Sequence, residues 1–407
     1  MEQEERGSPD YPGYYSVAWI CALEEEYQCA CRMLDEELPG PTTIDDNDTN
    51  MYVFGRIAEH RMVIACLPSG RCGMSSAARV ARDMVRTFPR LSFALVVGIG
   101  SGEPTPQNDI RLGDVVVSQP VDGCGGVIQY DFGKKLQNGR FQRTDQLNGP
   151  PERLLGVLQE MKRRYKDKRL PDRLAEHLTR MDDMDDYQKP DDDRLYQTDY
   201  LHVGGKDCNQ CDPHKKVERS SRRNGRAINV HYGTIASGNC VLEDAVMRDA
   251  YATEPELNVL CFEREAAGLM NILPSLVIRG VCDYCDSHKN DEWHKYAALT
   301  AAAYARELLL VLRPQRADTM PVWAGQVLHE LRKVDQKMTN IIQAQMAIHN
   351  RLISIEQKLD SARSAVSKGV EFNSYDTHDE FLPGCRLQLL DEVAESANSR
   401  HGNAYSD

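Results

Sequence analysis

No apolar stretch in this chain of 407 residues approaches the roughly 18 that a membrane-spanning helix needs, so no transmembrane span is expected. The opening, Met1-Glu2-Gln3-Glu4-Glu5-Arg6, lacks a basic segment backed by an apolar core and does not read as a signal peptide. Excess positive charge is missing as well. A net charge of −13 argues against a general nucleic-acid binder or a protein of anionic membranes. There is no disulfide framework: the 13 cysteines are odd in number and lie in apolar segments, as Cys21, Cys66 and Cys261 do. That usage points to reduced thiols and a cytoplasmic chain. Both common nucleotide-binding loops are lacking. The glycine loop Ser69-Gly70-Arg71-Cys72-Gly73 has no P-loop lysine, and Gly98-Ile99-Gly100-Ser101-Gly102 runs into Glu103-Pro104-Thr105-Pro106 without the G-x-G-x-x-G spacing or a following helix.

What is present is a 41% hydrophobic chain, long enough for one large domain plus an appendage. Residues 1–14 read as a flexible leader and 15–313 as an α/β domain with a polar insertion at about 122–226. Tyr15 to Leu23 predicts a buried strand, with a helix from Glu24 to about Glu37. Met51–Ile57 and His60–Cys66 predict a hairpin, and Leu91 to Val97 is the most strand-like run. Val259 to Phe262 predicts a strand that breaks into Glu263-Arg264-Glu265 before a tightly packed helix; Ser275 to Val281 predicts its neighbour, ending on Asp283 and Asp286. Ligands of α/β sheets collect beyond strand ends, so these carboxylates read either as one polar pocket or as solvated strand ends and helix caps. An alanine-rich helix is expected over Tyr296 to Leu312.

In the insertion, a helix is expected near Glu152–Asp167, and the basic and acidic runs read as solvated faces. His202, Cys208, Cys211 and His214 have donors for a tetrahedral zinc site in a spacing that matches no standard finger. Beyond Pro314, a heptad over 323–365 places Leu331, Met338, Gln345, Leu352 and Leu359 at a, and Val327, Val334, Ile341, Ile348 and Ile355 at d. It predicts a coiled-coil helix and a homo-oligomer, or one long helix folded back on the domain. Residues 366–407 read as a linker and tail.

Several segments carry a family resemblance. Phe262-Glu263-Arg264-Glu265-Ala266-Ala267-Gly268 resembles the E-M-E-A-A/T motif of the purine nucleoside phosphorylase and methylthioadenosine nucleosidase superfamily, and Arg279-Gly280-Val281-Cys282-Asp283 resembles its R-x-I-S-D motif. Ala22-Leu23-Glu24-Glu25-Glu26 resembles the A-M-E-E-E of the nucleosidases, Arg111 to Ser118 the L-G-D-I-V-V-S strand, and Gly233 to Asn239 the G-x-I-x-S-G-D/N segment. The resemblance implies a three-layer mixed sheet flanked by helices, and cleavage of a purine N-ribosidic bond without a cofactor. It implies catalytic roles for Glu26 (activating water), Glu265 (holding the ribose hydroxyls) and Asp283 (protonating the purine). Around them it implies a substrate-binding set of Glu263, Arg264, Gly98, Gly100, Ser237, Asn239, Val241 and Arg71. As an acid, Asp283 is expected to have a pKa raised by burial or by a like charge, with Asp286 and Glu265 as candidate neighbours.

Two departures refine the reading. Ile99 stands where phosphorylases carry a phosphate-contacting serine, which favours hydrolysis over phosphorolysis. Arg264 replaces the methionine under the ribose; with Arg71 or Arg56 it suits a 5′-phosphate chain, and receptor-attached members of the superfamily cleave ATP to adenine and ribose triphosphate. Phe372 to Leu390 resembles the linker before the nucleotide-binding module of fungal NLR-like proteins. A phosphate-dependent phosphorylase and a catalytically silent scaffold remain the rival expectations.

Overall fold

A computed structural model describes residues 8–313, except 122, 138–140, 145, 206, 223–224 and 253–257, together with 337–338, 343–349, 351–355, 357–358 and 360. The chain divides into two units, Met1–Arg332 and Lys333–Asp407. In the first, the strands are β1 (Val17–Cys21), β2 (Glu36–Leu38), β3 (Tyr52–Ile57), β4 (His60–Cys66), β5 (Phe93–Gly102), β6 (Val115–Ser118), β7 (Val127–Gln129), β8 (Gly133–Lys135), β9 (Phe141–Arg143), β10 (Val230–Ser237), β11 (Val259–Glu263) and β12 (Ser275–Asp283). The helices are α1 (Glu24–Arg32), α2 (Met74–Thr87), α3 (Glu152–Lys166), α4 (Arg173–Leu178), α5 (Ala245–Ala252) and α6 (His294–Val311).

One mixed sheet runs β11-β10-β6-β12-β5-β1-β4-β3-β2, with β7 beside β10. Because β11 also pairs with β5, the strands β5, β12, β6, β10 and β11 close into a ring. Period-two alternation builds the layers: Val17, Trp19, Phe93, Leu95 and Val97 join α1, α3 and α6 on one face. On the other face, Ala18, Ile20, Ala94 and Val96 meet α2 and the segment Ala266–Leu273. Side chains on both faces are fully buried, as expected of parallel strands covered by helices. Helix α6 lies close on β12 because Gly280 has no Cβ; one there would fall on the Ala297 carbonyl.

Several expectations shift. The helix after Glu24 stops at Arg32, not Glu37, and Glu36–Leu38 pairs with β3 instead. The turn between them is fixed by Asp35, which accepts from the Ala58 amide and pairs with Arg180 and Arg306. The glycines Gly98–Gly102 are not a loop but the second half of β5, held by β12 and β11. No long helix follows Glu265: a single turn, Ala266–Gly268, is all that fits where Gly268 meets the Met74 backbone at the start of α2. Strands β11 and β12 are not paired with each other; both pair with β5. The insertion's charges are not all solvated, since Arg222 pairs with buried Asp114 and Arg219 with Asp193. No described helix is long and apolar enough to cross a membrane.

In the second unit, residues 343–349 and 351–355 are helical. Of the heptad, Met338, Ile348, Leu352 and Ile355 are exposed apolar side chains, while Val327, Leu331, Val334, Ile341 and Leu359 lie outside the described residues, as does Phe372 to Leu390.

Candidate active site

Helix α1 opens without a polar cap, because its N-cap position is Leu23. Glu26, at the third helical position, compensates: its Oε2 accepts from the amides of Ala22 (2.7 Å) and Leu23 (3.1 Å), the reach-back half of a capping box. Its Oε1 accepts from the Ile99 amide at 2.8 Å. A buried carboxylate is thereby held at the middle of β5. Burial pushes its pKa above the usual glutamate value, a shift that Arg279 and the three amides only partly offset. Gly98 permits this approach, since a Cβ there would collide with Glu26 Oε1 and Arg279 Nη1.

Arg279, from β12, is fully buried against three acids. It bonds Glu263 through Nη2 and stands 3.5 Å from Glu265 Oε2. Glu263 also accepts from the amides of Glu265 (3.1 Å) and Ala266 (3.1 Å), so its carboxylate ties the turn to Arg279. Glu265 Oε1 accepts from the Gly73 amide at 3.2 Å, which brings the glycine loop to the cluster. Burial, against the pull of Arg279 and with the push of Glu263 and Glu26, raises the Glu265 pKa to about 7. The sequence motif includes Arg279 but the reading gave a role only to Glu265 and Asp283; here Arg279 is the buried cation that faces all three acids.

Asp283 ends β12, opposite Ser101 in the register of β5. Its Oδ1 accepts from the Cys285 amide (2.9 Å), and its Oδ2 lies 3.3 Å from Lys289 Nζ. The expectation of a raised pKa is overturned. Burial alone would raise it, but Lys289, the Ser101 hydroxyl, the Cys285 amide and the Cys282 thiol together hold it below the usual aspartate value. The neighbour that decides is Lys289, not Asp286 or Glu265; the signal for it in the sequence was a lone lysine six residues on from Asp283.

The remaining residues divide. Arg264 is half-buried, its Nε enclosed with no hydrogen-bond partner, and its charge reaches Cys72 of the glycine loop. Ser237 is buried and accepts from the Ala267 amide at 3.0 Å, so it braces the turn behind Glu265. Asn239 approaches Gly73, and Val241 is exposed. Gly100 packs against Cys261 and the Phe262 carbonyl. Arg71 is exposed. Arg56 pairs with Glu36 beside Arg61 at the start of β4, the edge of the sheet away from Glu26. Two groups of described residues present donor atoms close enough to share a cation: Cys282, Asp283 and His294, where Lys289 already balances the carboxylate, and His202, Cys208 and Cys211. His214 lies outside both.

No family model matches the chain. Over 307 residues, 75% of its length, it is 43% identical to a protein of Hyaloscypha variabilis described as a nucleotide-binding leucine-rich repeat (NLR)-like protein. The chain spans only 30% of that relative's length. Among solved structures it is similar to the 5′-methylthioadenosine/S-adenosylhomocysteine nucleosidase of Neisseria meningitidis in complex with methylthio-immucillin-A, at 18% identity and a TM-score of 0.47 over 72% of this chain and 98% of that one. It is also similar to the futalosine hydrolase of Helicobacter pylori, at 14% identity and a TM-score of 0.45 over 72% and 97%. Its structural neighbours are nucleosidases; its sequence relative is NLR-like.

Proposed function

We propose that the chain hydrolyses the N-glycosidic bond of a purine ribonucleoside or nucleotide. The observation that carries this reading is the placement of Glu26: a buried carboxylate of raised pKa, presented by α1 to the middle of β5 near Glu265, against the strand that also meets Asp283. Its anchor, Ile99, and the Asp283 partner, Ser101, are two residues apart on β5, roughly 7 Å along a strand. Inverting glycoside hydrolysis places a water beside one carboxyl group and the leaving group beside the other. Glu26 takes the proton of the attacking water, Glu265 grips the ribose hydroxyls as the sugar becomes cationic, and Asp283 gives the departing purine its proton.

Asp283 is ionised beside Lys289, so its acid form has to arise on binding. A purine that displaces the ammonium removes the cation holding the carboxyl down, and burial then drives it to take up a proton. The partnerless Nε of Arg264 and the NLR-like relative support a phosphorylated substrate such as ATP and a place as the effector portion of a larger receptor. Purine release from ATP, adenosine and methylthioadenosine reads this directly. Arg264→Met is expected to lower the ratio of ATP to adenosine kcat/KM by about 10- to 100-fold, the equivalent of one or two charge-assisted hydrogen bonds. An unchanged ratio would remove Arg264 from the phosphate site.

Residues 323–365 supply the assembly device in this reading. The exposed Met338, Ile348, Leu352 and Ile355 occupy a and d positions, a face complementary to its own copy. Light scattering is expected to show an oligomer that Ile348→Asp with Leu352→Asp reduces to a monomer; an oligomer of unchanged mass would contradict the coiled coil.

A further inference from the structure

The insertion grips the loop that follows Asp283. Tyr284 donates to Asp193 and receives Arg219, and the His202 amide donates to Ser287 Oγ at 2.9 Å. At the centre of this contact, His202, Cys208 and Cys211 place their donor atoms within 4.8 Å of one another. Both thiols are free and buried, held in a tight Cys-x-x-Cys turn closed by the Cys211 amide on the Cys208 carbonyl at 3.1 Å. Four tetrahedral ligands at zinc bond lengths sit roughly 3.5–4 Å apart, so the grouping needs little movement to close.

His288, whose ring nitrogens like those of His214 lie outside that grouping, is the candidate for the fourth position on a separate observation. His288 is 6% exposed, and neither of its ring nitrogens has a hydrogen-bond partner. A buried imidazole left in that state is costly without a use. Its ring stacks on Tyr196, 4.0 Å between centroids, and its centroid lies 5.5 Å from that of His202 at 83°. Two imidazoles on one tetrahedral zinc, bonded at 2.0–2.1 Å, hold their ring centres roughly 5 Å apart.

We propose that His202, Cys208, Cys211 and His288 hold one zinc ion. The ring contacts assign the nitrogens. His202 Nε2 faces the Asp207 carbonyl at 3.0 Å and so carries the hydrogen, while Nδ1 accepts from the Gly204 amide at 3.1 Å; the metal takes Nδ1 by replacing that donor. His288 Nδ1 stands 3.7 Å from Asp286 Oδ1, which orients it as the N–H side and leaves Nε2 for zinc. Each thiol loses its proton to solvent, and two thiolates with two neutral imidazoles balance the dication. Sulfur and imidazole donors in tetrahedral array select zinc over calcium or magnesium. The ion thereby staples the insertion to the loop carrying Asp283 and Lys289, whatever the substrate is.

The test is metal analysis of the full chain purified without chelator. One zinc per chain is expected, falling below about a tenth in the Cys208→Ser/Cys211→Ser double variant and strongly reduced in His288→Ala, with His214→Ala unchanged. Cobalt exchanged into the wild-type chain should give tetrahedral d–d bands and a thiolate charge-transfer band, a readout that holds even if a variant fails to fold. A wild-type chain without zinc or cobalt spectrum would overturn the site. So would a mass two hydrogens lighter from a Cys208–Cys211 disulfide, or zinc lost from His214→Ala and kept by His288→Ala.

Discussion

Glu26→Gln lowers kcat for purine release by about 10²- to 10⁴-fold, the usual worth of a positioned general base, while the domain stays folded. The carboxylate is buried and its pKa is raised, so the fold already favours an uncharged group there. Glutamine keeps the shape and relieves the buried charge, but its NH₂ turns a donor towards one of the three amides that Glu26 accepts from. These two effects oppose each other, and the midpoint of thermal unfolding should move by only a few degrees. Activity lost with the fold intact separates a catalytic Glu26 from a helix cap; activity retained would make it a cap alone. The acid side of the profile follows with a definite sign. A base must be ionised, so kcat/KM falls as pH drops through the raised value of Glu26 and through about 7 at Glu265.

Arg279→Met is the counterpart in stability. It removes the buried cation from Glu263, Glu265 and Glu26 while keeping the volume. Breaking a buried ion cluster by deleting one partner costs about 3–5 kcal/mol, because the remaining charge is left uncompensated. The loss depends on pH. Glu265 rises from its ordinary 4.5 to about 7 in the folded chain, so its contribution to stability is present below 4.5 and lost as pH climbs through about 7. Without Arg279, Glu265 and Glu26 lose the cation that opposes their raised pKa and bind protons more tightly still. Urea unfolding should show the variant's deficit larger at pH 8 than at pH 6; an equal deficit at both would mean lost packing rather than unpaired charge.

Much of this was legible in the sequence where local pattern and site chemistry coincide. The runs over Val17–Cys21, Val259–Glu263 and Ser275–Asp283 are apolar enough that only buried strands accommodate them, and each delivers an acid at or just beyond its end. What the sequence did not carry was set by long-range pairing. The glycines at 98–102 look like a loop, yet two strands hold them as sheet. Glu36–Leu38 continues a helical pattern but is captured by β3. Lys289 and His288 draw their meaning from neighbours far along the chain or across a turn, Asp283 for one and the insertion's cysteines for the other. No periodicity announces such pairs. The raised pKa expected of Asp283 failed for the same reason, since burial was foreseeable and the cation beside it was not.

Hydrolysis is distinguished by the oxygen that arrives at ribose C1. The purified chain, incubated with ATP or adenosine in phosphate-free H₂¹⁸O, should release adenine with one ¹⁸O in the sugar product, and Glu26→Gln and Asp283→Asn should abolish both. A sugar phosphate formed only when phosphate is added, or no free purine from any of these substrates, would contradict it.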